Sequence, residues 1–234
     1  MIVIFLVTFI YILSDPNGVK SAELPNYIPK CSLSDPNLNE CIKENANSII
    51  AILAKGDIDF GIPSLSPVVF QEAPGHGKNI SFVLYNTYHD NIKDMQLDKA
   101  SYDLENAKNY TILSGKFIDV TAKGQVLLGH GRFNMTLERV IMEYKADISK
   151  YEKRGDIYLD LTKSDLSTTN GHSYFYFENL KSPERADVND YINKNSKIFV
   201  GQLKPILDRY LNTFFSYTLN VIFGKVPFTE MFLP

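Results

Sequence analysis

The run from Asp187 to Phe223, DVNDYINKNSKIFVGQLKPILDRYLNTFFSYTLNVIF, decides the fold. Its apolar residues fall at Val188, Tyr191, Ile192, Phe199, Leu203, Ile206, Leu207, Tyr210, Phe214 and Val221. Steps of three and four repeat throughout, the spacing that aligns side chains on one face of a helix. At ~1.5 Å per residue the run would be roughly 50 Å long. Pro205 removes an amide donor and is expected to kink the helix or divide it in two. From Tyr210 to Phe223 the sequence is apolar nearly all round, so this last third should be enclosed. Asn212 and Asn220 argue against a membrane span.

Upstream the period changes. Between about 68 and 180, Ile80, Phe82 and Leu84 alternate with Asn79, Ser81 and Val83. Phe133, Met135 and Leu137 alternate with Asn134, Thr136 and Glu138, and Ile157, Leu159 and Leu161 with Tyr158 and Asp160. Period two marks strands with one buried face. Tyr110–Val120, Gln125–Tyr144 and Asp156–Leu161 are the long candidates. Lys123-Gly124, Arg154-Gly155 and Asn170-Gly171 read as turns. Several long strands with short turns predict an antiparallel meander. Joined to a long buried helix, they predict an α+β fold in which a strongly curved antiparallel sheet wraps the C-terminal helix. No Pro-, Gly- or Ser-rich linker divides the chain, so one elongated domain is expected over 22–234.

The N-terminus sets the compartment. Met1–Leu13 reads MIVIFLVTFIYIL and is broken by Ser-Asp-Pro-Asn-Gly at 14–18. Thirteen helical residues reach about 20 Å, short of a bilayer core of about 30 Å. A signal peptide over 1–21, cleaved near Ser21 or Ala22, fits better than an anchor. The expected location is secreted and extracellular. In an oxidising compartment Cys31 and Cys41, which enclose nine residues, are read as a structural disulfide, with two buried thiols the alternative. A helix should begin near Ser34 or Asp35, carry Pro36 in its first turn and stop before Gly56.

The 234 residues include 24 Lys and Arg against 27 Asp and Glu, a net charge of −3, so a broad basic surface for nucleic acid is excluded. The chain has 15 Phe, 14 Tyr and no Trp, an aromatic supply that needs a large apolar interior or something apolar to hold. No Gly-x-Ser-x-Gly, Gly-x-x-x-x-Gly-Lys or His-Glu-x-x-His motif occurs. The histidines at 76, 89, 130 and 172 have no metal-ligand spacing. Neither an enzyme, a metal site nor a cofactor is expected. Tyr174-Phe175-Tyr176-Phe177 reads as a strand packed on both faces or as ring surface along an apolar cavity. Sequons stand at Asn79, Asn109 and Asn134, the last on the wet face of its strand.

Four further segments carry a resemblance. They are Leu24-Pro25-x-Tyr27-Ile28-Pro29-Lys30-Cys31 with Asn39-Glu40-Cys41, and Gly61-Ile62-Pro63-x-Leu65-x-Pro67. Next come Tyr110-x-Ile112-x-x-Gly115-Lys116 with Gly129-x-Gly131-x-Phe133-x-x-Thr136-Leu137. Last are Asn193-Lys194-Asn195, Leu203-Lys204-Pro205 and Val226-Pro227-Phe228-x-x-Met231-Phe232. In this order they resemble the secreted insect takeout and juvenile-hormone-binding protein family. The resemblance implies an internal apolar tunnel and a carrier of juvenile hormone, another isoprenoid, a fatty acid or a similar lipid. The single cysteine pair matches takeout-like members, and Ser196 stands where many members have Trp.

On that reading one tunnel wall is the helix face Phe199, Leu203, Leu207, Tyr210 and Phe214. Ile80, Phe82, Phe133, Met135, Leu137, Ile157 and Leu159 form the opposing sheet wall, and Ile49 and Leu53 close one end. The expected partner is a small apolar molecule, bound by a monomer without stable membrane insertion. Two other readings stay open: a signalling protein that acts through an unidentified receptor with its interior filled, and a membrane-active lipid-transfer protein.

Overall fold

The computed structural model describes residues 22–76, 81–102, 109–117, 120–126, 131–179 and 187–234. The expected signal peptide, Asn79 and Ile80 lie outside these residues, as does the side chain of Phe82.

The first elements among the described residues are β1 (Cys31–Ser32) and α1 (Leu38–Leu53). Asp35 accepts from the amide of Asn37 ahead of α1, and Gly56 follows its end at φ +76°. The helix stops before Gly56 as expected but starts later than its sequence signals, so Pro36 precedes it and does not lie in its first turn. The Cys31–Cys41 disulfide ties β1 to the first turns of α1. β1 also pairs in parallel with β11 (Phe232–Leu233), which joins the two ends of the described chain.

Nine further strands form two antiparallel sheets among the described residues. β2 (Val68–His76), β3 (Ser81–Asp90), β6 (Val120–Val126), β7 (Gly131–Leu137) and β10 (Ser173–Phe177) make one, in the order β10-β7-β6-β3-β2. β4 (Gln96–Tyr102), β5 (Asn109–Phe117), β8 (Val140–Lys153) and β9 (Asp156–Thr169) make the other, in the order β4-β5-β8-β9. This corrects the expected single meander. The chain lays down one hairpin in each sheet alternately, so β3 pairs with β6 and β5 with β8. Local alternation fixes which side chains face inward but not which hairpin a strand joins.

Arg154 and Gly155, at φ +57° and +86°, make the predicted two-residue turn between β8 and β9. Lys123-Gly124 is no turn: both residues lie inside β6, opposite Asn134 and Phe133. In β8, Val140, Met142, Tyr144, Ala146 and Ile148 are buried in strict alternation. β9 keeps its phase only as far as a bulge, where Leu161 pairs with Ile148 and Lys163 with Asp147, leaving Thr162 between. Beyond it the inward positions shift from odd to even numbers, to Ser164, Leu166 and Thr168. β10 does not pack on both faces: Phe175 and Phe177 are buried, while Tyr174 and Tyr176 are 54% and 59% exposed.

The C-terminal run forms α2 (Val188–Lys194) and α3 (Ser196–Lys225), followed by α4 (Phe228–Met231). The division falls at Asn195, ten residues before the expected one. Pro205 lies inside an uninterrupted α3. The carbonyl that it leaves without an amide donor belongs to Gly201, and both residues are exposed, so water can satisfy it. α3 runs along β9 and touches β2 and β10 of the other sheet. A large apolar core gathers around its first two-thirds, and a smaller one around its end with Phe60, Ile62, Leu159 and Val226. The last third is less enclosed than expected. Thr218 is buried there, Tyr217 is 54% exposed, and the other apolar residues are half-buried.

Candidate functional site

The site lies where α3 faces the two sheets. Met135 and Leu137 point inward from β7 because that strand alternates Arg132, Asn134 and Thr136 outward. Leu207 and Leu211 meet them from successive turns of α3. Together with Ile92, Val140, His89 and Thr168 they line an apolar pocket that is partly open to solvent.

The sequence-predicted wall is partly assembled. Met135, Leu137 and Leu207 line the pocket. Phe133 and Leu203 are buried in the same core, and Leu53, Phe199, Tyr210 and Phe214 pack against it half-buried. Phe199 stands edge-on to Phe175 and Phe177, at 5.0 and 5.7 Å between ring centres. Ile49 is half-buried on α1. Leu159 belongs to the smaller core instead. Ile157 joins neither: it is 44% exposed, two residues beyond the β8–β9 turn.

Sequence reasoning missed His89, Thr168, Ile92, Val140 and Leu211. His89 sits on β3, is 5% exposed and meets the ring of Phe70 edge-on at 5.1 Å. Burial pushes its pKa down to about 4, so its ring is neutral at neutral pH. Phe70 in turn lies 5.0 Å from the ring of Tyr210 on α3. The available signal was the alternation of Thr87 and His89 with exposed Tyr88, which puts a histidine on an inward face.

A polar ladder fixes α3 beside the pocket. Lys204, Asp208, Asn212, Ser216 and Asn220 recur at every fourth position, one row along the helix. Asp208 Oδ1 accepts from the amide and the hydroxyl of Thr168 at 3.1 and 2.6 Å, and its other oxygen pairs with Lys204. Asn212 donates to the Ser164 carbonyl at 3.4 Å. Ser216 shares hydrogen bonds with Tyr144 and Ser164, and Asn220 accepts from the Leu161 amide at 3.0 Å. β9 is a sheet edge, and the ladder occupies backbone groups that would otherwise lie open in an apolar interior.

The same device closes two other edges. Asn193 and Asn189 on α2 each accept from one amide of β10 and donate to the same residue's carbonyl, at Phe175 and Phe177. Asn47 on α1 does so with Leu97 of β4. A carboxamide offers one acceptor and one donor side by side, as a neighbouring strand would. The apolar space is thereby held by helices stitched to sheet edges.

Among the described residues no cluster of His, Cys, Asp and Glu could hold a metal ion, and no helix is long and apolar enough to cross a membrane. The family model described as haemolymph juvenile hormone binding protein (JHBP) matches residues 3–233. Takeout 1 of Epiphyas postvittana is similar in structure, with TM-score 0.71 and 17% identity, over 88% of this chain and 99% of that one. That likeness establishes the fold. A lipopolysaccharide binding protein gives TM-score 0.41 at 12% identity, over 78% of this chain and 37% of that one, too distant to bear on the fold. No curated protein matches the chain significantly.

Proposed function

Because the chain belongs to the haemolymph juvenile hormone binding protein family, we propose that it is a secreted carrier holding a small apolar ligand between α3 and the two sheets. The observation that carries this reading is the aliphatic pocket of Met135, Leu137, Leu207 and Leu211, continued by half-buried apolar side chains along α3. Family membership makes it a binding protein of lipophilic molecules. Removal of hydrocarbon from water supplies about 25 cal/mol per Å², so a chain burying on the order of 400 Å² gains roughly 10 kcal/mol before ordering costs.

The direct test is mass spectrometry of organic-solvent extracts of the purified secreted protein beside a mock purification. A stoichiometric apolar molecule is expected. If none co-purifies and no apolar probe binds, the receptor-acting reading with a filled interior replaces this one. A second measurement locates the ligand. Phe214 is half-buried on α3, edge-on to Phe215. Phe214→Ala is expected to weaken probe binding about tenfold or more, with a smaller change in unfolding midpoint, because it removes ring surface from the ligand side. A loss of stability with unchanged affinity would place Phe214 in ordinary core.

Secretion also exposes the chain to N-glycosylation. Asn134 is exposed on β7, directly opposite Tyr176 of β10. Asn109 begins β5, and its side chain lies outside the described residues. Protein secreted from insect cells is expected to carry a glycan at Asn134, and Thr136→Ala should abolish it. Glycopeptide mass spectrometry checks this; an unmodified Asn134 in fully secreted protein refutes it.

A further inference from the structure

The outer face of β10 carries Tyr174 and Tyr176, 54% and 59% exposed, while Phe175 and Phe177 turn inward and are buried. Register sets Tyr176 directly opposite Asn134 of β7, and Tyr174 directly opposite Thr136. Asn134 and Thr136 are the first and third residues of the Asn-Met-Thr sequon, so the acceptor and one exposed ring are cross-strand partners. Side chains of directly opposite residues start about 5 Å apart on the same face of a sheet. Both backbones are fixed. β10 pairs with β7 from Ser173 to Phe177, and the carboxamides of Asn193 and Asn189 hold its other edge at Phe175 and Phe177. One pair further along, the Glu178 carboxylate accepts from the Arg132 amide at 3.3 Å and gives the face a polar border.

From this register we infer that an N-glycan on Asn134 lays its first N-acetylglucosamine on the ring of Tyr176, which makes Tyr176 a built-in sugar platform. The inference rests on the secretion reading above. The sugar is joined to Asn134 Nδ2, so it begins beyond the end of that side chain, at the height of the neighbouring ring. One face of the sugar presents axial C–H groups and no hydroxyl. The face of an aromatic ring is electron-rich, so these C–H groups are drawn to it, and the contact takes apolar surface out of water. A tyrosine has only two side-chain torsions to fix, so little entropy opposes the contact. Hydroxyl and N-acetyl groups at the sugar's rim meet water or the border at Arg132 and Glu178. On the inner face the next pair, Phe133 and Phe177, stacks at 6.0 Å between ring centres. The sugar on Tyr176 is the outer counterpart, a second clasp between β7 and the edge strand β10.

The full chain, secreted from insect cells with kifunensine and trimmed by endoglycosidase H to the first sugar, is compared with Asn134→Gln, which has no acceptor. Tyrosines are nitrated with tetranitromethane and followed by peptide mass spectrometry. The single sugar is expected to slow nitration of Tyr176 about threefold or more, with a smaller change at Tyr174. Relative to Asn134→Gln it should also raise the thermal midpoint by about 1–4 °C, a gain that vanishes in a Tyr176→Ser background. Glycopeptide mapping reads the occupancy of Asn134 in the same samples. With Asn134 occupied, equal nitration of Tyr176 in the two forms, or an unchanged thermal gain in Tyr176→Ser, overturns the inference and leaves the secretion reading standing. Protection that follows protein concentration instead of the sugar assigns the face to a second copy and overturns it as well. An unmodified Asn134 in secreted protein overturns the glycosylation expected there, and this inference with it.

Discussion

Acidification from pH 7 to 4 is expected to destabilise the folded chain by about 3 kcal/mol through His89 alone. The ring is buried among Phe70 and the pocket's aliphatic side chains, and its pKa is pushed from 6.5 down to about 4. Between those values the unfolded chain binds a proton that the native chain does not. Stability is therefore fully present above pH 6.5 and falls as the pH drops toward 4, the opposite of a histidine that gains an acidic partner. Urea unfolding midpoints at steps through this window measure it. His89→Phe removes the titrating group, so the variant should lose less stability than the wild type over the same range. Parallel curves would show that His89 is not buried neutral. Carboxylates elsewhere titrate in both proteins and cancel in the comparison.

Asn193→Ala is expected to cost about 2–4 kcal/mol. Asn193 accepts from the Phe175 amide and donates to its carbonyl, both at 2.8 Å, and donates to Asn189 O at 3.0 Å as well. Phe175 is 3% exposed, so water does not readily replace what the carboxamide supplies. An alanine leaves two backbone groups of an edge strand without partners in an apolar setting, which is more damaging than the loss of one exposed hydrogen bond. For a chain of this length that corresponds to a fall in thermal midpoint of about 5–15 °C. Asn193→Asp discriminates further: it keeps the acceptor for the amide but sets an anion against the carbonyl, and should be no better than alanine. A change below about 0.5 kcal/mol for Asn193→Ala would mean that α2 adds nothing to the edge.

The polar ladder on α3 shows how much was legible and how much was not. Asp208, Asn212, Ser216 and Asn220 stand at fixed steps in the sequence, so that they share a helix row can be read directly. That the row meets β9 cannot be, because the neighbour is set by which strand ends up at a sheet edge. Pro205 misled for a related reason. Its effect depends on whether the Gly201 carbonyl meets water or protein, and Gly201 is exposed. Ile157 misled because period two reports a face but not whether anything covers it.

Spacing and turn chemistry along the chain by themselves determined the long C-terminal helix, the inward residues of β7, the Arg154-Gly155 turn and the Cys31–Cys41 pair. These depend on spacing along the chain, on a backbone preference at two residues, or on a loop of nine residues. The family motifs, spread from Leu24 to Phe232, carried the overall architecture. Tertiary structure alone decided that hairpins alternate between two sheets, that carboxamides of Asn47, Asn189 and Asn193 close their edges, and that His89 and Thr168 share one pocket. Each of these joins residues far apart in the chain. Such pairings are selected by burial and hydrogen-bond satisfaction across the whole interior, which no local period encodes.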